Sequence, residues 1–373
     1  MELHLSQLKS FRAKMKIPKS IKELKVVELA TVLAGPSVGM FFAELGSKVI
    51  KVEHPENPDV TRTWKLPRED QSSPISAYFC SVNYGKNYLS LNLMDETDST
   101  MFMELLKDAD VLLTNFKRGD DQKFGLETKK LHALNPRLII GKISGFGEES
   151  DRVAYDLILQ AETGFMSMNG TPDSGPVKMP VALIDVLAGH QLKEGILIAL
   201  LERQISGLGS EVSVSLYDAA ICSLVNQASN YLMTGHIAKR MGSLHPNIAP
   251  YGELFQTKDQ ALVTFAIGSD SQFKKFLGVL NAVELSDDPR FVHNQQRLEN
   301  REALFTLLQT FINEWMCDTL LNELHVLQVP CAKVKEIDEV LTDEHAKPLI
   351  LQEEILGFQT ARVRTTAFHI SHD

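Results

Sequence analysis

The sequence predicts an α/β protein with a doubly wound parallel sheet and a smaller second domain. Three observations carry that expectation. Strand and helix patterns alternate from Leu24 to Ile143, as a doubly wound sheet requires. The stretch from Leu24 to Val52 reads strand, helix, strand, a βαβ unit that demands parallel pairing. From about Gly235 the texture changes to loops, one isolated strand and a series of amphipathic helices.

The elements follow in order. Leu24 to Leu29 is an apolar strand, Gly35-Pro36 starts a helix from Ser37 to Leu45, and Gly46 ends it. Lys48 to Val52 is the second strand, and residues 56–75, rich in Pro and charge, read as loop. Tyr88 to Leu93 is a short strand, Thr97 to Lys107 a helix, and Val111 to Leu113 a strand. A helix near Lys129–Leu134 feeds a strand over Leu138–Ile143. Ala154 to Met166 is helical, and residues 169–180 form an irregular loop punctuated by Gly and Pro. A long helix starts near Asp185 and runs to about Arg203, Gly207 and Gly209 stop it, and Glu211–Leu216 is a strand before a helix over Asp218–Met233. Residues 244–252 read as loops, Ala261–Ala266 as a strand, amphipathic helices continue through Leu327, and Val329–Val334 is a returning strand. The expected organisation is an N-terminal arm over 1–23, a large domain over 24–225, a small domain over 226–328 and a return to the large domain over 329–373.

Composition narrows the function classes. Of 373 residues, 44% are hydrophobic, which supports a sizeable core. The net charge of −10 argues against general nucleic-acid binding, which relies on a basic field. No apolar run approaches the roughly 20 residues of a membrane span, so no membrane partner is expected. The basic start lacks the apolar core of a secretory signal, and an arm packing on a partner suits it better than a transit peptide. Cys80, Cys222, Cys317 and Cys331 form no C-x-x-C pair and read as reduced thiols of a cytoplasmic protein. The histidines have no metal-ligand spacing, so no metal is expected.

Three places invite chemistry. The first βα turn is not G-x-G-x-x-G, so a dinucleotide is disfavoured, but its small residues let backbone approach another nucleotide. Asn115-Phe116-Lys117-Arg118-Gly119 follows a strand end, where ligands bind such sheets. There Phe116 suits stacking on a purine, and Lys117, Arg118 and Lys123 suit phosphates; a solvated basic loop fits equally. Asp185 lies at the first turn of its helix after an apolar approach. The helix start favours the ionised acid and the apolar surroundings strip it of water, conditions that suit a carboxylate nucleophile. An ordinary Asp N-cap fits the same spacing.

Ordered motifs then accumulate. Ala34-Gly35-Pro36 and the run Leu45 to Pro55 open the series. Asn83-Tyr84-Gly85-Lys86-Asn87, Asp110 to Phe116, Leu134-Asn135-Pro136-Arg137, Ser144-Gly145-Phe146-Gly147 and Ala154-Tyr155-Asp156 continue it. Ile184-Asp185, Gly189, Gly209-Ser210, Ser215 to Ala219, His245 to Tyr251 and Val329 to Ala332 complete it. Together, over about residues 24–350, they resemble the class III CoA-transferases, the CaiB/BaiF or formyl-CoA transferase family. The resemblance implies a Rossmann-like large domain, a smaller α+β domain and an interlocked homodimer. It implies Asp185 as the catalytic nucleophile, with CoA contacts at Val32, Leu33, Ala34, His54, Leu91, Asn92, Asn115, Phe116 and Lys123. It places Tyr155 and Asp156 on the substrate side. His54 and Lys123 stand where the family often has arginine or another basic residue.

The implied reaction moves CoA from an acyl-CoA donor to a carboxylic acid acceptor through an aspartyl anhydride and an aspartyl-CoA thioester. No cofactor beyond CoA itself is implied. Two alternatives share the fold: an acyl-CoA racemase, and a CoA-ester-binding protein without catalysis. The racemase would need a histidine where Tyr155 stands. Formyl-CoA transferases carry a glycine-rich loop, whereas residues 245–270 hold only Gly252 and Gly268, which disfavours an oxalate or formyl assignment. The family's usual Leu-Gly-x-His-Thr motif and terminal helix are not found before Asp373, which reads as a lost tail or a shortened member.

Overall fold

A computed structural model describes residues 20–371. Most of the expected N-terminal arm, residues 1–19, lies outside the described residues. The chain divides into two compact units. The first holds the chain to Phe165, Lys178–His236 and the chain from Lys347. The second holds Met166–Val177 and Ile237–Ala346.

The first unit is built on six parallel strands: β1 (Lys25–Glu28), β2 (Lys48–Glu53), β3 (Lys86–Ser90), β4 (Val111–Thr114), β5 (Ile139–Ser144) and β6 (Glu211–Ser215). Their order is β3-β2-β1-β4-β5-β6. The central strands bury both faces, which is why β4 reads Val-Leu-Leu-Thr with no alternation. The order reverses between β1 and β4, and ligands of such sheets bind at that crevice.

The helices in chain order are α1 (Ala34–Glu44), α2 (Ala77–Cys80), α3 (Glu96–Lys107), α4 (Asp120–Phe124), α5 (Thr128–Leu134), α6 (Asp156–Glu162), α7 (Phe165–Met168), α8 (Leu183–Ser206), α9 (Leu216–Cys222) and α10 (Val225–Thr234). One apolar core joins α1 and α8 to the sheet through Val38, Phe42, Val111, Ile139, Leu192 and Ile196. A second joins α3 and α5 through Phe102, Leu106, Leu112 and Leu131. Gly189 lets α8 lie close on α1, since a Cβ there would fall 2.5 Å from Ser37 Oγ.

The second unit pairs β7 (Tyr251–Gln256), β8 (Leu262–Ala266) and β9 (Cys331–Lys333) antiparallel in the order β7-β8-β9. Phe255, Phe265, Phe276 and Leu320 are among the side chains of its separate core.

Several boundaries differ from expectation. The strand expected over 88–93 ends at Ser90, because Asp95 caps α3 and Asn92 turns the chain by accepting from Met94 N. The helix expected over 154–166 is broken by Gly164, at φ +89°. The helix expected over 218–233 breaks between α9 and α10, where Val225 has φ +46°. The 249–252 loop gives way to β7 at Tyr251. The return to the first unit comes at Lys347 rather than 329, because Cys331–Lys333 pairs with β8 in the small sheet. A terminal hairpin, β10 (Ile350–Ile355) and β11 (Phe358–Val363), turns on Leu356 and Gly357, both at positive φ. Arg362 Nη1 anchors it at 2.6 Å from Glu44 Oε1 at the end of α1. The Glu44 carboxylate also accepts from the Thr365 and Thr366 amides.

Candidate active site

Asp185 is the third residue of α8 and is 7% exposed. It does not cap the helix. The N-cap position is Ala182, which has no side chain able to accept, so the orphan amides look elsewhere. They find Asp156, from the start of α6. Its Oδ1 accepts from Ile184 N at 2.7 Å and Asp185 N at 3.4 Å. Gln160 Nε2 donates to the other Asp156 oxygen at 2.5 Å. A carboxylate borrowed from 28 residues upstream thus performs the cap.

This arrangement reverses one electrostatic expectation. The helix start was expected to keep Asp185 ionised. Burial instead pushes its carboxyl up to about 7, and the nearby Asp156 charge pushes the same way. Among the described residues no basic side chain pairs with it. Asp185 therefore holds its proton below neutrality and is a carboxylate above it.

Tyr78 belongs to the same neighbourhood. Burial raises its phenol to about 12, and the charges of Asp185, Asp156 and Asp59 add to the effect. The phenol stays a neutral hydrogen-bond donor. Its ring meets Trp64 edge-on at 5.1 Å. Sequence reading missed Tyr78 because α2 is a single turn with no periodicity, between a loop and a strand.

The expected CoA contacts fall at four strand ends of one sheet, apart from Lys123 on α4. Val32, Leu33 and Ala34 form the turn from β1 into α1, with Val32 at φ +73°. Asn115 and Phe116 follow β4. The Asn115 carboxamide is spent on the neighbouring turn, accepting from Thr31 N at 3.0 Å and donating to Thr31 O at 2.9 Å. Phe116 packs 5.6 Å from Phe124. Lys123 on α4 is exposed, with its ammonium 5.1 Å from the Phe124 ring. Leu91 is buried just past β3, and Asn92 N donates to Asp98 at 2.8 Å. His54 follows β2, where its Nδ1 accepts from Glu56 N and Asn57 N and leaves Nε2 as the protonated nitrogen. It lines a cavity of about 600 Å³ with Arg62, Lys65 and Tyr88. Tyr155 is half exposed as the N-cap residue of α6. No group of three His, Cys, Asp or Glu side chains able to hold a metal occurs among the described residues.

The buried Asp185 carboxyl at the start of α8 is a group able to exchange its proton near neutrality. The comparisons name the class. The family model of CoA-transferase family III matches residues 21–370. A succinate–glutarate CoA-transferase of Agrobacterium fabrum is 36% identical over 326 residues, covering 86% of this chain and 81% of that one. An acetyl-CoA:oxalate CoA-transferase of Acetobacter aceti is 36% identical, covering 85% and 81%. Among solved structures, a CaiB/BaiF family protein from Brucella suis superposes with TM-score 0.84 at 38% identity, covering 94% and 92%. The chain belongs to CoA-transferase family III, and its activity is that of a class III CoA-transferase.

The raised Asp185 carboxyl sets a pH profile. With Asp185 as the expected nucleophile, the donor half-reaction should rise about tenfold per pH unit below 7 and level off above it. Asp156→Asn keeps an acceptor oxygen for the Ile184 amide and removes the charge, but turns its NH₂ toward Gln160 Nε2, also a donor. Its acid limb should move to lower pH, and its thermal midpoint should fall with the lost hydrogen bond. An unmoved limb in a rapid-mixing assay rules out the Asp156 charge as a cause.

Proposed function

We propose that Asp185 carries CoA between acids by alternating anhydride and thioester. Its carboxylate attacks the carbonyl carbon of the donor thioester. The C–S bond breaks, leaving CoA thiolate and a mixed anhydride. The thiolate then attacks the Asp185 carbonyl, releasing the donor acid and forming aspartyl-CoA. The acceptor carboxylate attacks that thioester and frees the thiolate again. Attack of the thiolate on the acceptor acyl carbon forms the product and restores Asp185. Each step exchanges one activated acyl bond for another, so the reading requires no cofactor beyond CoA. Burial serves the chemistry by excluding the water that would hydrolyse the anhydride.

The carrying observation is the buried, unpaired Asp185 carboxyl at the start of α8. Relatives that use succinate and glutarate or oxalate are equally similar, at 36% identity. All three acids are dicarboxylates, and we infer a short dicarboxylic acid as acceptor. The test is mass spectrometry after mixing with succinyl-CoA alone. A CoA adduct on the peptide containing Asp185 supports the mechanism. Deuterium wash-in at an α-carbon without adduct would indicate a racemase, and CoA binding with neither a binding protein.

We also infer a homodimer. On α8, Ile198, Leu201 and Ile205 are 59%, 68% and 88% exposed and share one helical stripe. Leu232 and Met233 on α10 are also exposed. Apolar side chains in such number suit a second copy of the chain. Native mass spectrometry should read twice the mass of the 41.6 kDa chain; a monomer at micromolar concentration overturns the inference. No helix among the described residues is long and apolar enough to cross a membrane. The four unpaired thiols suit a reducing compartment such as the cytoplasm.

A further inference from the structure

Val32 is a β-branched residue at φ +73°, a conformation it adopts only when its surroundings force it. Three successive residues of its turn are gripped by side chains. Lys51 Nζ donates to Ala30 O at 2.8 Å. Asn115 holds both backbone groups of Thr31. Asp59 accepts from Val32 N with both carboxylate oxygens, at 3.3 and 3.2 Å.

Asp59 is itself fixed. It is 1% exposed, and Lys51 Nζ lies 3.1 Å from its Oδ2. Its Oδ1 accepts from Thr61 N at 3.1 Å and Thr61 Oγ1 at 2.7 Å. The ammonium of Lys51 is shared with Glu28 Oε1 at 3.1 Å, and Lys86 Nζ approaches that same oxygen at 2.8 Å. Two buried acids and two buried lysines thus balance in charge. Such a group seldom outperforms well-packed apolar side chains as a source of stability. Its geometry explains it better, because Lys51 and Asp59 both end on the turn, at Ala30 O and Val32 N.

We propose that Asp59 is a positioning residue: held by Lys51, its carboxylate locks the Val32 peptide in the left-handed conformation and so presets the backbone edge that receives CoA. The identity of the ligand rests on the CoA-transferase reading above. An amide at position 59 cannot do this work. It keeps one acceptor oxygen, and its NH₂ must face either the Val32 N–H or the Lys51 ammonium, both donors.

The test combines Asp59→Asn, Val32→Gly and the double variant. Hydrogen exchange is read by mass spectrometry over residues 29–35, and steady-state kinetics with the donor acyl-CoA. In Asp59→Asn, exchange of the turn should quicken at least about tenfold while the rest of β1 stays protected. KM for the donor should rise about tenfold with kcat within about threefold, the signature of lost preset binding. Glycine takes this φ without strain, so adding Val32→Gly should recover most of the loss in KM. Unchanged exchange, an equal fall in kcat, or no recovery overturns the proposal. Should Asp59→Asn not fold, Val32→Gly alone decides. With Asp59 as the lock its turn stays slow to exchange, and rapid exchange overturns the proposal. A wild-type chain that binds no CoA in equilibrium dialysis overturns the ligand reading, and that result is visible without any variant.

Discussion

Asp185→Ala is expected to lower kcat by about 10⁴-fold or more, because the proposed covalent route disappears with the proposed nucleophile. CoA affinity should stay within about threefold, since the expected CoA contacts sit on the β1, β2, β3 and β4 ends rather than on α8. Transfer assays and equilibrium dialysis on one preparation read both. Surviving transfer would remove Asp185 from the mechanism. A second effect follows from the raised carboxyl. An unfolded Asp releases its proton near 3.9, whereas the folded one holds it to about 7. The folded chain therefore binds the extra proton between those values. That contribution to stability is complete below about 4 and is lost as pH rises through 7. Asp185→Asn should therefore raise the thermal midpoint at pH 8 and have little effect at pH 4.5. The ionised Asp185 carboxylate is thus kept at the expense of stability.

Arg203→Met is expected to destabilise the chain by about 3–5 kcal/mol. Arg203 is 1% exposed at the far end of α8. Its Nη1 donates to Arg137 O at 3.0 Å and to Asp110 O at 3.3 Å, and its Nη2 to Asp110 Oδ1 at 3.0 Å. Methionine fills the stem's volume but orphans the Arg137 carbonyl, leaves the Asp110 carbonyl only Ile139 N, and leaves the Asp110 carboxylate only the Lys25 amide among its described partners. Arg203 lies 18 residues along the helix from Asp185, about 27 Å at helical rise. Activity per folded molecule should therefore be nearly unchanged at 25 °C. Urea titration and kcat/KM on the same sample separate the two effects. A loss below about 1 kcal/mol would mean that water or Lys25 replaces the guanidinium.

Residue patterns made the parallel sheet legible because its central strands are buried on both faces and appear as uninterrupted apolar runs. Edge features were less legible. The β10–β11 hairpin was missed, since Leu-Gly is a weak turn signal beside Asn-Gly. The small-sheet strand Cys331–Lys333 was assigned to the wrong unit, because three residues cannot announce their partner. In the site, Asp185 stood out only through the ordered motifs around it. Local spacing also suggested that it caps its own helix, a task that belongs to Asp156. A cap borrowed across 28 residues has no short-range signature. Asp59 and Tyr78 were hidden for the same reason: each lies in or beside a stretch read as loop, and each has surroundings remote in sequence.

The Glu44–Arg362 anchor has a consequence for how the chain is made. Glu44 leaves the ribosome 318 residues before Arg362. Until then a carboxylate that is 3% exposed in the finished fold has no partner. The second unit, whose main stretch ends at Ala346, is synthesised while the first still waits for its closing hairpin. At synthesis rates of about 5–20 residues per second, the first unit remains open for many seconds. Chains stalled before Lys347 should accordingly be cut by protease in the first unit and resist it in the second. Closure of the first unit is thus timed by the β10–β11 hairpin rather than by the α8 helix that carries Asp185.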